Sequence, residues 1–227
     1  MYSQLTEKMH EFDKLVTTKK ALGIEWAWPK SDINALEWIA TDYEIYIGNI
    51  IACIPNRNTV VQAGGNCGMY PRLLADIFKE VYTFEPDPLC FHCLTHNCQL
   101  NNIHKFNCCL GYKNEQVNVN SCDKTNVGHI MVHNDVIPIN DDTVFNVPTI
   151  LIDQLNLNAC DLIFLDVEEY ELNVLKGAYR TIEKFRPVIF LETGVPRLTI
   201  DIDNFLVSRF NYELVTDYGK DRLYAPV

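Results

Sequence analysis

From residue 58 onward, short apolar runs alternate with helix-forming segments, and that rhythm restricts the chain to few architectures. "TVVQA" at 59–63, "EVYTFEP" at 80–86, "KFNCCLG" at 105–111, "DLIFLDV" at 161–167 and "PVIFLE" at 187–192 read as strands. Helical stretches follow the first at about 69–79, the second just past Pro86, the fourth as "EYELNVLKGAYRTIEKF", and the fifth as "DIDNFLVSRF". Strands that are apolar throughout, separated by helices, belong to a mostly parallel sheet covered on both faces. The last residues break the rhythm. "YELVTDY-GKD-RLYAPV" is two alternating strands about a glycine turn, so the sheet ends in an antiparallel hairpin. Residues 112–150, rich in Asn, Asp and Gly, predict a pair or trio of short strands and loops inserted between the third and fourth strands.

The stretch "VVQAGGNCG" at 60–68 joins the first strand to its helix. Strand, small-residue turn and helix together present backbone N–H groups to a nucleotide-like ligand. Counting by twos gives Gln62-x-Gly64-x-Asn66-x-Gly68. Gly64 and Gly68 let the backbone approach a ligand, and Asn66 can take the left-handed conformation in a glycine's place. Glu85 closes the second strand, 23 positions after Gln62, where an acid reaches ribose hydroxyls. Asp87 is the candidate N-cap of the following helix.

The block "DLIFLDVEEYELNVLKGAYRTIEKFRPVIFLE" at 161–192 closely resembles the signature of FkbM-type methyltransferases. Asp166, Val167, Glu168, Glu171, Val174, Leu175, Gly177, Ala178, Arg186, Pro187 and Glu192 match that pattern. Gly64, Asn66 and Gly68 match the family's turn, and Phe84, Glu85 and Pro86 its acidic strand end. The resemblance covers roughly residues 58 to 226. It implies a Rossmann-like class I methyltransferase fold: α/β, with a mostly parallel sheet ending in an antiparallel hairpin and helices on both faces. It also implies S-adenosylmethionine as cofactor, held by Gln62, Ala63, Gly64, Gly65, Asn66, Gly68, Glu85, Pro86, Leu110 and Asp166. Two residues depart from the family. Gln62 replaces an acid, removing a charge that would attract the methionine ammonium, and Glu169 replaces a glycine.

Methyl transfer to a hydroxyl needs in-line alignment and a base. Asp166 and Glu168 stand at the carboxyl end of the central strand, where open α/β sheets bind ligands. Asp166 is expected to orient cofactor or acceptor and Glu168 to contact the acceptor hydroxyl, unless Glu168 is only a first-turn carboxylate of the next helix. His129, or His133, could supply the base. Cys90, His92, Cys93, His96 and Cys98 suggest zinc, but one helix cannot aim all of them to one side, so no metal is expected.

Composition narrows the partners. Nineteen Lys+Arg against 30 Asp+Glu give a net charge of -11, which argues against broad contact with nucleic acid and favours a neutral or basic small substrate; the family resemblance implies a hydroxyl on a small molecule or glycan as acceptor. "DVEEY" after the fourth strand also lacks the Asp/Asn-Pro-Pro-aromatic motif usual in methylation of nucleobase amines. The first residues, "MYSQLTEKMHEFDKLV", hold no apolar signal region, no apolar run is long enough for a membrane span, and nine cysteines fit reduced thiols. A cytoplasmic location is the expectation. Residues 1–57 are expected to form a helical extension, with "IEWAWPKSD" as an aromatic loop and Ser31 or Asp32 capping the next helix; 58–227 form the methyltransferase domain. The rival readings are a catalytically silent S-adenosylmethionine-binding module and a nicotinamide-dependent oxidoreductase, the latter disfavoured by the spacing by twos and the terminal hairpin.

Overall fold

The computed structural model describes residues 10–33, 35–121, 125–133 and 144–227. Its centre is a seven-stranded sheet. Strand β3 (Thr59–Ala63) lies between β4 (Glu80–Phe84) and β10 (Leu162–Leu165). Outward from β4 comes β5 (Ile103–Phe106); outward from β10 come β11 (Val188–Glu192), β13 (Asp221–Pro226) and β12 (Tyr212–Asp217). All pairs are parallel except the two that β13 makes, so the terminal hairpin supplies the one reversed strand of this sheet.

Alternation sorts the central side chains to two faces. Val60, Leu162, Phe164 and Phe190 pack beneath Ile50, Leu74, Phe78 and Leu94. Val61, Ile163, Leu165 and Ile189 pack against Val174, Leu175, Ile182, Ile202 and Leu206. Helices α1 (Ala35–Ala52), α2 (Met69–Leu74) and α3 (Pro88–Asn97) supply the first set together with neighbouring loops. Helices α4 (Glu171–Lys176), α5 (Tyr179–Phe185) and α6 (Pro196–Asp203), with the π-turn that follows, supply the second. Every fully apolar strand thus faces a helix on each side.

Three elements differ from the sequence expectation. Residues 16–29 form an antiparallel hairpin, β1 (Val16–Ala21) and β2 (Ile24–Pro29), where a helical extension with an aromatic loop at 24–32 was expected. Trp26 and Trp28, two apart and both wholly buried, define its inner face, and their indole N–H groups donate to Ala21 O and Asp32 Oδ2. The extension is therefore strand and helix rather than helical. The third expected strand divides into β5 and a two-residue β6 (Cys109–Leu110), because β6 leaves the main sheet to pair with β9 (Val144–Ile150). The helix after β10 divides at Gly177, where a Cβ would fall 1.9 Å from Gly111 O. Backbone packed that closely ends α4 and redirects the chain into α5.

The insertion forms β7 (Gln116–Ser121), β8 (Ile130–His133) and β9, joined with β6 in the order β6-β9-β7-β8. This is the expected trio of strands, standing at the carboxyl edge of the main sheet. No helix among the described residues is long and apolar enough to cross a membrane.

Candidate functional site

A cleft of about 260 Å³ opens over the carboxyl ends of β3, β4, β10 and β11. Its floor is the turn after β3. Gly64 and Gly65 donate their N–H groups to Phe84 O at 3.1 and 2.9 Å, pinning the turn to the end of β4. Gly64 has φ +79°, and a Cβ there would lie 1.8 Å from Asp166 O. Asn66 takes the left-handed conformation at φ 44°, as expected of an asparagine in a glycine's place. Gly68, φ +92°, starts α2 and is hemmed in by Cys98 and Leu94; it does not line the cleft.

Gln62 likewise points away from the cleft. Its side chain is fully buried, with Nε2 donating to Gly64 O at 2.8 Å and Oε1 accepting from Thr83 Oγ1 at 2.6 Å. The amide staples the turn from beneath, so the missing charge has no direct line to a ligand's ammonium. Gln62→Glu keeps the shape but sets a carboxylate oxygen against Gly64 O. A loss of about 2–4 kcal/mol in unfolding free energy is expected by urea titration; an unchanged midpoint would show that the staple contributes little.

Glu85 forms one wall. It is buried, with Oε2 accepting from Asn66 N and Oε1 from Asp87 N, each at 2.7 Å. Burial raises its carboxyl to about 8, the nearby Asp87 adds to the rise, and the two backbone donors oppose it. Asp87 caps α3 as expected, accepting from Leu89 N and Cys90 N. Pro86, Cys108, Cys109 and Leu110 continue this wall as an apolar slot.

The opposite end is acidic. Asp166, Glu168 and Glu192 place carboxylate oxygens within 4.8 Å of one another at the ends of β10 and β11. Asp166 is reachable from the cleft, yet protein crowds its carboxyl. Its pKa rises well above the carboxylate range through that crowding first, then through Glu192 and Glu168. The like charges push in the same direction, so the sign of the shift is the same however enclosed the group is. Glu168 rises to about 6, from burial and then Glu192, while His129 and Lys220 pull it down. Glu168 and Glu169 are both left-handed, φ 49° and 72°. That conformation explains why a glycine suits position 169 and what Glu169 must tolerate there. Glu171, on the first turn of α4, is fully buried and accepts from Val167 N through Oε1.

Of the sequence candidates, Ala63, Gly64, Gly65, Asn66, Glu85, Pro86, Leu110, Asp166 and Glu168 line the cleft; Gln62, Gly68 and His129 do not. His129 sits between two lining residues, Gly128 and Ile130, within electrostatic reach of Glu168. His133 ends β8, and its side chain lies outside the described residues. Trp38, Asp42, Tyr70 and Lys220 also line the cleft, and no motif marks them. Trp38 and Asp42 share one face of α1 by their spacing of four, a signal visible only once α1 is known to cover the strand ends.

The turn fits a nucleoside-bearing ligand: the Gly64 and Gly65 backbone leaves no room for side chains, and a buried acid stands beside it. The fold is similar to a methyltransferase FkbM from Methylobacillus flagellatus, with 19% identity, TM-score 0.54, and coverage of 74% of this chain and 43% of that one. It is also similar to Trm5b from Pyrococcus abyssi (12% identity, TM-score 0.53, 93% of this chain and 54% of that one). The METTL16 MTase domain gives 12% identity and TM-score 0.52, with 98% of this chain and 89% of that one covered. The chain thus spans about half the length of the first two. No curated protein matches it in sequence. The Methyltransferase FkbM domain model matches residues 60–214, which include the turn, Glu85 and the carboxylate cluster. The chain belongs to the FkbM methyltransferase family, and its cofactor is S-adenosylmethionine.

Proposed function

We propose that this methyltransferase acts on a hydroxyl oxygen of a small molecule or glycan. The observation that carries the reading is Glu168, a cleft carboxylate raised to about 6 beside Asp166 and Glu192. A base of that strength is ionised at neutral pH and strong enough to accept a hydroxyl proton as the oxygen loses it. S-adenosylmethionine, when bound, supplies an electrophilic methyl group. Gly64, Gly65 and Asn66 would hold it from the floor, Glu85 would face its ribose hydroxyls, and Cys108, Cys109 and Leu110 would flank its base. Asp166 would orient the reacting groups, its raised proton affinity suiting it to share a hydrogen with a polar partner. Trp38, 55% exposed on the rim, offers a flat apolar face of the kind that stacks on a sugar ring. Domain limits follow the same reading, with residues 58–227 as the catalytic unit and α1 of the preceding extension building the acceptor wall.

The test is incubation with S-adenosylmethionine and pooled glycans or metabolites, followed by mass spectrometry for products that gain a methyl group. A methyl ether stable to alkali is the expected product. Glu168→Gln should lower turnover by about 10²–10⁴-fold while leaving S-adenosylhomocysteine affinity intact. A methylated amine, or undiminished turnover in the variant, would overturn the reading. Cofactor binding with no product from any pool would favour a silent binding module.

A further inference from the structure

The histidines and cysteines of α3 separate in space. Cys90 and Cys93 are buried among Trp26, Trp28, Cys67 and Met69, and Cys98 packs toward Gly68 and Leu94. His92 and His96, four residues apart, share a different face of the helix, with ring centroids 4.7 Å apart. The turn of helix at 10–15 lies against that face. His92 Nε2 is 3.0 Å from Asp13 Oδ1, and the ring of Phe12 packs on His92 at 5.5 Å. The other carboxylate oxygen of Asp13 lies 3.8 Å from His10 Nδ1.

We propose that Asp13, His92 and His96 bind a divalent transition-metal ion of the zinc type. Their ligating atoms all lie within 4.8 Å of one another, so small side-chain rotations bring the three onto one ion. The donor set decides the metal class. Two imidazole nitrogens and one carboxylate suit Zn²⁺, Co²⁺ or Ni²⁺, whereas Mg²⁺ and Ca²⁺ require mostly oxygen. His92 is largely buried and fixed in direction, which supplies one preorganised ligand; His96 and Asp13 are exposed and free to adjust. His10 or water would complete the coordination. The ion would clamp residues 10–15 onto α3, the helix that begins just after Glu85. The site stands apart from the cleft, and it does not rest on the methyl acceptor proposed above.

The experiment uses the full chain, free of any histidine tag and stripped of metal by chelator, titrated with Co²⁺ and then with competing Zn²⁺. One Co²⁺ per chain is expected, with weak visible bands and no intense near-ultraviolet thiolate band. A hundredfold excess of Zn²⁺ over its Kd should raise Tm by roughly 5–10 °C. His96→Ala and Asp13→Asn, both at exposed positions, should each weaken Co²⁺ by about tenfold or more. Both variants should keep S-adenosylhomocysteine affinity and circular dichroism unchanged. Absence of Co²⁺ and Zn²⁺ binding, a thiolate band, or wild-type Co²⁺ affinity in both variants would overturn the proposal and leave Asp13–His92 as an ion pair only.

Discussion

Gly64→Ala is expected to abolish measurable cofactor binding and to lower Tm by several degrees. Two independent penalties fall on the same atom. The backbone at φ +79° costs an L-residue about 1–2 kcal/mol. The new Cβ would also lie 1.8 Å from Asp166 O, a distance that only backbone movement can relieve. Neither side yields easily. Gly64 is tied to Phe84 O, and Asp166 N donates to Ala63 O at 3.1 Å, so the two strand ends are held against each other. Relief must widen the gap between β3 and β10, deforming the floor of the cleft. Calorimetric titration with S-adenosylhomocysteine and a thermal melt check this. Wild-type affinity in a variant whose melting is also unchanged would mean that the turn accommodates a methyl group, contrary to the geometry.

Glu85→Ala is the second large effect, and here the fold and the ligand are both involved. Removing the carboxylate leaves Asn66 N and Asp87 N without their acceptors. Each buried donor left unpaired costs about 1–3 kcal/mol. The ribose contact proposed for the same group disappears too, so affinity for S-adenosylhomocysteine should fall by about 100-fold or more. Glu85→Gln separates the two contributions, since its amide oxygen can still accept one of the backbone N–H groups. Wild-type affinity in the alanine variant would show that the nucleoside lies elsewhere. The wild-type carboxyl also makes stability depend on pH. Its folded-state value, about 8, lies above the ordinary 4.5. The folded state therefore binds the proton more tightly than the unfolded state. This contribution is complete below about pH 4.5 and is lost as pH rises through 8. In Glu85→Gln that part of the decline disappears, which urea titrations across pH 5 to 9 would register.

How much of this was legible beforehand depended on whether a feature is local. The central strands announced themselves because burial on both faces demands uninterrupted apolar runs, as in "LIFL" at 162–165. The terminal hairpin was legible from alternation about a glycine, and Asn66 from the small set of residues that tolerate a positive φ. The β1–β2 hairpin carried a usable signal, Ile24, Trp26 and Trp28 at a period of two, masked by the proline that follows. The break at Gly177 could not be read, because its cause is the Gly111 carbonyl far away in sequence. Gln62 shows the same limit within the site. Its identity as a departure was plain, but whether an amide points into a cleft or back under its own turn is decided by Thr83 on the next strand.

The floor of the cleft and the wall that α1 forms are held very differently. The floor belongs to β3, whose residues are all buried between two layers, while α1 buries only Ala35, Leu36 and Ile50 along its 18 residues. Local opening is cheapest where the fewest apolar contacts must be given up. Amide exchange is thus expected to run through partial openings at the wall carrying Trp38 and Asp42, and through unfolding of the whole sheet at the glycine turn. The half of the cleft floored by the glycine turn is rigid by construction, and the half walled by α1 is the one that can adapt.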